Sequence, residues 1–322
     1  MKDSLKVEMY QRMLRIRKFE ETVESLFLKG DIPGFIHLSF GQEAVAVGSC
    51  LALRDEDYIT STHRGHHYCI AKGVEMAPMM AELFGKKTGL QGGKGGSMHV
   101  SDFDKGMLGG YAVVGAGLPV AIGAALACQM QKSGRIVATF FSDGATNIGA
   151  FHESLNVAAI WNLPILFVCD NNRWAVSTPI ESTYKLPKIS DRACAYGIPG
   201  LTVDGNDVVA VWQAVNEAAS RARQGGGPTF IEAQTYRMAG HFVGDPERTR
   251  PKEQLEKWKE KCPIRTFEEH LIADGTILEK NAELIRKQAQ KEIEGAIDYA
   301  KESPYPDSED AFKDLGGMEV SL

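Results

Sequence analysis

RIVATFFSDGATNIGAFHESLNVAAIWNLPILFVCDNN, residues 135–172, holds two apolar runs separated by one helix-length segment. The runs at 135–141 and 163–169 are rich in β-branched and aromatic residues, which is typical of strands buried on both faces. Between them, residues 148–161 carry apolar side chains at helical spacing. The stretch therefore predicts a βαβ unit, whose strands should be parallel neighbours joined by a right-handed crossover.

Each predicted strand ends in a polar cluster, SDG at 142–144 and DNN at 170–172. Ligands of open α/β sheets bind at the carboxyl ends of the strands, so Asp143 and Asn172 should lie side by side there. Such residues are also ordinary turn formers, and either cluster alone favours that interpretation. Together, their oxygen atoms beside a helix N-terminus indicate a hard cation, Mg²⁺ or Ca²⁺ rather than zinc, bound to an anionic phosphate.

Composition excludes several classes of protein. The chain has 322 residues, is 43% hydrophobic and carries a net charge of −6, which is ordinary for a large α/β core. Acidic and basic residues are interspersed, so neither a nucleic-acid footprint nor a basic membrane patch is present. Six scattered cysteines without a CxxC pair indicate a reduced, cytoplasmic protein.

Two segments bear on membrane targeting. The N-terminus has an amphipathic helical stripe among charges, which does not resemble a signal peptide. Residues 106–131 lack charge and are long enough to span a membrane, but they contain six glycines and Pro119. We expect a tightly packed internal helix or a subunit contact there instead of a membrane span.

The remaining pattern predicts a single α/β domain over 1–322, with helical extensions at both ends, the C-terminal one covering about 253–322. A glycine-rich segment at 89–99 must be a shaped loop, and residues 237–251 form a polar loop containing His241. The order of strands cannot be derived from these patterns. Further helices are expected at 42–53, 76–85, 118–129, 208–223 and 277–301, and further strands at 58–61, 200–203 and 228–236.

The two polar clusters have the spacing of the thiamine diphosphate motif, which opens Gly-Asp-Gly and closes Asn-Asn. The first position here is Ser142. Ordered matches extend the resemblance to the E1 alpha subunits of 2-oxo acid dehydrogenase complexes. They are GFIHL at 34–38, GQEA at 41–44, KGGSMH at 94–99, NNR at 171–173 and TYR at 235–237. The segments at 240–245 and 302–306 look most like acetoin dehydrogenase alpha subunits.

The resemblance implies a thiamine diphosphate-binding fold, with a mostly parallel sheet flanked by helices, and two cofactors, thiamine diphosphate and Mg²⁺. It assigns Asp143, Asn172 and the backbone carbonyl of Trp174 to Mg²⁺. The cofactor itself would be held by other positions that match the family, namely His63, Arg64, Ala112, Val114, Gly144, Ala145 and His241, together with Asp143 and Asn172. His63 departs from the pattern, because the pyruvate enzymes usually have Tyr there.

The resemblance also assigns catalytic roles to His241 and His66 and places Phe35 and His37 in the substrate pocket. His152 and His270 are interpreted as structural or surface groups, and the roles of His67 and His99 stay open. In animal pyruvate enzymes a regulatory serine follows the active-site histidine. The corresponding position in this sequence is Phe242.

The implied activity is that of an oxidoreductase subunit. It would cleave acetoin, release acetaldehyde and pass the two-carbon unit to the lipoyl group of an E2 partner. Enzymes of this class need a second α/β domain carrying an activating Glu, so we expect a beta subunit and an α₂β₂ heterotetramer. The alternatives are pyruvate dehydrogenase E1 alpha, a branched-chain relative, or a non-catalytic cofactor-binding or scaffold subunit.

Overall fold

The computed structural model of the protein describes residues 1–313, in which helices cover both faces of a six-stranded, fully parallel sheet. The helices are α1 (Asp3–Leu28), α2 (Glu43–Ala52), α3 (His66–Lys72), α4 (Met76–Leu83), α5 (Gly117–Met130), α6 (Gly149–Ile160), α7 (Val208–Arg223), α8 (Lys252–Lys259), α9 (Pro263–Ala273) and α10 (Glu279–Glu302). The strands are β1 (Tyr58–Thr62), β2 (Met107–Tyr111), β3 (Val137–Ser142), β4 (Ile165–Asn171), β5 (Trp174–Ala175), β6 (Thr178–Pro179), β7 (Gly200–Asp204) and β8 (Thr229–Gln234).

The sheet has the strand order β2-β1-β3-β4-β8-β7, and β5 pairs with β6 in a separate antiparallel hairpin. The predicted βαβ unit is confirmed, because β3 and β4 are parallel neighbours connected through α6. Their register places Ser142 opposite Asp170, so the two polar clusters leave the sheet at the same edge.

Two hydrophobic cores lie on opposite faces of this sheet. On β3, Phe140 joins the core that contains α1, α2 and α7, whereas Phe141 joins the core formed with α5 and α6. The same alternation separates Val168 from Phe167 on β4. Because both faces are covered, the central strands read as continuous apolar runs rather than as alternating ones.

Sequence patterns did not predict three local elements. Strand β2 lies in a glycine-dense segment that periodicity does not identify as a strand, yet it pairs in parallel with β1. Gly110 allows this, since a Cβ atom there would lie 2.9 Å from the Met98 carbonyl oxygen. Helix α3 and the β5–β6 hairpin were also not predicted. The last nine residues of the expected C-terminal extension lie outside the described residues.

The uncharged segment contains α5, which packs on β1 and β3 and on α6. No helix within residues 1–313 is long and apolar enough to cross a membrane. The outer side of α5 is nevertheless apolar, with Val120 and Met130 being 41% and 75% exposed. A helix that is apolar all round is normally covered, which supports the expected subunit contact.

Asp57 connects three parts of the fold. Its buried carboxylate accepts bonds from both terminal nitrogens of Arg223 on α7 and from the backbone N–H groups of Ile136 and Arg54. We predict that Asp57→Ala lowers the free energy of unfolding by about 3 kcal/mol, because the partly buried Arg223 guanidinium loses its carboxylate partner and the buried Ile136 N–H loses its acceptor. Urea denaturation measures this loss. The exposed Asp298→Ala is the control, and equal midpoints for the two variants would contradict the prediction.

Candidate functional site

A cleft opens at the carboxyl edge of the sheet. Residues at and after the ends of four adjacent strands line it: Thr62, His63 and Arg64 at β1, Ser142, Gly144 and Ala145 at β3, Asp170, Asn172 and Trp174 at β4, and Arg237 after β8. This is the position expected for a ligand of an open α/β sheet.

One corner of the cleft is suited to a cation. Asp143 is only 4% exposed, and burial raises the pKa of its carboxyl group to about 6, although Ser142 donates a hydrogen bond to it. Among residues 1–313 no side chain forms a salt bridge with Asp143. A bound divalent cation would supply the missing positive charge.

Asn172 and Trp174 lie beside this corner. The Asn172 side-chain amide donates to Gln42 Oε1 at 3.0 Å, and its oxygen accepts the Trp174 backbone N–H at 3.4 Å, which leaves one lone pair for a further ligand. The Trp174 carbonyl accepts a bond from Arg237 Nη1 at 3.1 Å, so a cation there would share this oxygen with a guanidinium. The oxygens of Asp143, Asn172 and Trp174 are hard ligands of the kind that Mg²⁺ takes.

The part of the cleft beside this corner is suited to an anion. Arg64 is 5% exposed, and among the described residues its guanidinium donates to the backbone carbonyls of Leu38 and His241. Arg237 is 2% exposed and donates to the carbonyls of Trp174 and Val176. Burial lowers the pKa of Arg64 to about 9 and that of Arg237 to about 10, so both stay charged at neutral pH. Two buried cations without a carboxylate partner favour a phosphate ligand.

Three imidazoles, of His37, His63 and His241, meet near the two guanidiniums, whose charges act on all three rings. Their ring centroids are 4.6–5.5 Å apart, and one nitrogen from each lies within 4.8 Å of the others. Burial and the Arg64 charge lower the pKa of His37 to about 3 and of His241 to about 4, and lower that of His63 as well. Such rings can bind a transition metal, but here Arg64 and Arg237 would repel it. The lowered pKa values keep the three rings neutral, and the arginine charges beside them favour an anionic ligand.

Buried polar atoms without hydrogen-bond partners concentrate in this cleft. Within the described residues they include Gln42 Nε2, both ring nitrogens of His67, Asp170 Oδ1 and Trp174 Nε1. Buried polar groups are normally paired. The cleft thus requires a polar ligand to complete its hydrogen bonds.

Most of the residues predicted for the site form the cleft wall. The wall includes His63, Arg64, Val114, Gly144, Ala145, Asn172, Trp174 and His241. Ala112 and Asp143 are chain neighbours of lining residues. Phe35 lies 62% exposed in an edge-to-face contact with Phe242, with ring centroids 6.3 Å apart. Gly144 is needed for close approach, because a Cβ atom there would lie 2.8 Å from the Ala175 side chain.

His66 lies elsewhere. It is 1% exposed and is not among the side chains that line the cleft in the described part of the chain. Its Nε2 faces Ser97 Oγ at 2.9 Å, and its Nδ1 faces Glu20 at 3.3 Å. Burial alone would raise the pKa of Glu20, but His66 and the Ser39 hydroxyl lower it. This arrangement links His66 to the loop that carries Ser97, and a catalytic role for His66 stays a prediction.

Sequence reasoning missed Glu82, which organises the glycine-rich loop. Its buried carboxylate accepts the backbone N–H groups of Gln91, Gly93, Gly95 and Gly96 at 2.7–3.1 Å. A single acidic residue on a helix carries no signal of this role. Arg237 was also missed as a charged group of the site, although a lone arginine directly after a buried strand could have indicated it.

The turn of the β5–β6 hairpin is strained. Val176 has φ +56°, a left-handed conformation that costs a β-branched residue roughly 1–2 kcal/mol. Arg237 holds the Val176 carbonyl at 2.7 Å, and both residues line the cleft.

We predict that Val176→Gly raises the free energy of unfolding by up to about 1 kcal/mol, because glycine adopts this conformation freely. The matched control is Val120→Gly in α5, which should destabilise by a similar amount because it places glycine in a helix. Thermal unfolding of both variants gives the comparison, and a lower midpoint for Val176→Gly would contradict the strain.

Comparison with known proteins agrees with this geometry. A family model described as "Dehydrogenase E1 component" matches residues 11–309. The alpha subunit of acetoin:2,6-dichlorophenolindophenol oxidoreductase from Bacillus subtilis is 50% identical, over 96% of this chain and 95% of its own length. The subunit of the same name from Cupriavidus necator is 45% identical, over 95% and 92%. A pyruvate dehydrogenase E1 alpha subunit from Porphyra purpurea is 41% identical, over 92% and 89%.

Proposed function

The chain belongs to the dehydrogenase E1 component family, and we propose that it is the alpha subunit of a thiamine diphosphate-dependent E1 enzyme that cleaves acetoin. The enzyme releases acetaldehyde and passes the remaining two-carbon unit to the lipoyl group of an E2 partner. One observation carries the cofactor assignment: within the described residues the cleft holds Arg64 and Arg237 without a carboxylate partner, and the buried Asp143 carboxylate, between the lining residues Ser142 and Gly144, has no salt-bridge partner. A magnesium diphosphate supplies both missing charges.

Asp143, Asn172 and the Trp174 carbonyl would hold Mg²⁺. Arg64 would pair with the diphosphate, and the remaining contacts would come from His63, Gly144, Ala145 and His241. The backbone at Ala112 and Val114 would face the aminopyrimidine ring. When bound, thiamine diphosphate supplies a thiazolium carbon that adds to a ketone and takes up the electron pair of the broken bond.

The protein residues then have distinct tasks. Arg64 and Arg237 hold negative charge in a cleft with apolar walls, where each charge interaction is stronger than in water. His241 would hydrogen-bond the diphosphate, and its backbone N–H, which Asp245 accepts at 2.8 Å, holds the polar loop together. Its neutral imidazole can also accept a proton. Phe35 and His37 form the substrate end, and His66 acts by positioning.

A partner subunit is needed to complete the site. The cleft is rimmed by exposed apolar side chains, those of Phe35, Val113, Val114, Val176 and Phe242. We assign this rim to a beta subunit that brings the activating glutamate, and the outer side of α5 to a further subunit contact in an α₂β₂ heterotetramer. We place the assembly in the cytoplasm, which the absence of disulfides among its six cysteines supports.

Acetoin is preferred over pyruvate as the substrate because the two acetoin relatives, at 50% and 45% identity, exceed the pyruvate relative at 41%. Dye reduction by the alpha–beta pair tests this choice directly. We expect faster turnover with acetoin than with pyruvate, and the reverse order would make the chain a pyruvate dehydrogenase E1 alpha subunit.

We predict that Asp143→Asn weakens binding of thiamine diphosphate with Mg²⁺ at least about tenfold, because the cation loses its charged ligand. Isothermal titration of the alpha–beta pair measures the dissociation constant. Asp191→Asn, at an exposed position, serves as the matched control and should bind like the wild type. Unchanged binding by Asp143→Asn, or no binding by the wild type, would favour a non-catalytic scaffold subunit.

A further inference from the structure

Gln42 is a buried polar residue of the cleft wall, 1% exposed, and it is joined to a residue of the cation corner. Its Oε1 accepts the Asn172 side-chain amide at 3.0 Å. Its Nε2 has no hydrogen-bond partner within the described residues. Because buried polar groups are normally paired, an unpaired N–H on a residue of the cleft wall indicates a ligand oxygen as its partner.

The bond to Gln42 determines which end of the Asn172 amide can face a cation. An asparagine side chain has an NH₂ group and an oxygen, and only the oxygen can bind a cation. Gln42 Oε1 is an acceptor and therefore takes the nitrogen end, while the Trp174 backbone N–H takes the oxygen end at 3.4 Å. The two bonds select the same orientation. Since 3.4 Å is long for an N–H···O bond, Gln42 supplies most of the restraint.

The backbone around Gln42 is tied to the segment that follows β8. Gly41 has φ +90°, and a Cβ atom there would lie 2.7 Å from the Tyr236 carbonyl oxygen, so the two segments approach this closely only with glycine. The Gly41 carbonyl accepts the Thr235 hydroxyl at 2.8 Å, and the buried Glu43 carboxylate accepts the Gly41 N–H at 3.0 Å. Gln42 is thus held in place by its chain neighbours before any ligand binds.

We propose that Gln42 is a positioning residue of the magnesium site. Its Oε1 holds the Asn172 amide with the oxygen toward the cation, and its Nε2 donates to an oxygen of the bound ligand. This inference rests on the proposed function, because it needs Asn172 as a ligand of Mg²⁺. Mg²⁺ requires near-ideal octahedral geometry, whereas Ca²⁺ accepts irregular sets of oxygen ligands. A fixed direction of the Asn172 oxygen therefore favours Mg²⁺ over Ca²⁺.

The test compares Gln42→Met and Gln42→Asn with the wild type in the alpha–beta pair. Methionine is close to glutamine in length and volume but lacks both polar ends, and asparagine keeps the amide on a shorter side chain. Mg²⁺ or Ca²⁺ is titrated into the pair at a fixed excess of thiamine diphosphate. We expect the dissociation constant of Mg²⁺ to rise about tenfold or more in both variants, the usual effect of losing a residue that orients a metal ligand. That of Ca²⁺ should rise by about threefold or less.

Gln290→Met, at an exposed position on α10, is the matched control and should bind both cations like the wild type. Unchanged Mg²⁺ affinity in either Gln42 variant would overturn the inference. An equal loss for the two cations would overturn it as well, because a general disturbance of the cleft weakens both. A wild-type pair that binds thiamine diphosphate with neither cation would instead overturn the proposed function. Thermal unfolding of each variant without ligands confirms that it is folded.

Discussion

The site depends on one constraint, the parallel register of the four adjacent strands β1, β3, β4 and β8. Hydrogen bonding fixes Ser142 opposite Asp170 and Asn171 opposite Gln234, so every strand ends at the same edge. A slip of one residue would send the side chains of a strand to the other face. Both faces are buried in hydrophobic cores, and the register is therefore strongly specified.

The charged groups at this edge lack partners of opposite charge within the described chain. The two buried guanidiniums of Arg64 and Arg237 and the two buried carboxylates of Asp143 and Asp170 have backbone groups, hydroxyls or imidazoles as their partners, and the imidazoles of His37 and His241 are neutral. The fold tolerates this arrangement because its stability comes from the two apolar cores on either side of the sheet. A ligand carrying both signs of charge would bind only the folded state and would stabilise it further.

Sequence patterns predicted the elements whose formation is local. The central strands, α6 and α7 follow from periodicity, and Asp143 and Asn172 follow from their places at strand ends. The rest depends on distant parts of the chain. Strand β2 exists because β1 offers it a free edge, and the burial of His66 depends on Glu20 and Ser97, which are far apart in sequence. The meeting of His37, His63 and His241 likewise joins three separate loops, so periodicity could not indicate it.

The parallel sheet also affects how the chain folds. Every parallel pair joins strands separated by at least one crossover, and Ile59 on β1 pairs with Ala138, so the central sheet cannot form from local contacts alone. High contact order slows folding, because the chain loses conformational entropy in closing long loops before strand pairing contributes favourable free energy. During synthesis β1 emerges well before β3, and the apolar α5 follows without its later neighbours. The chain should consequently fold slowly after dilution from denaturant, with aggregation competing until its apolar surfaces are covered.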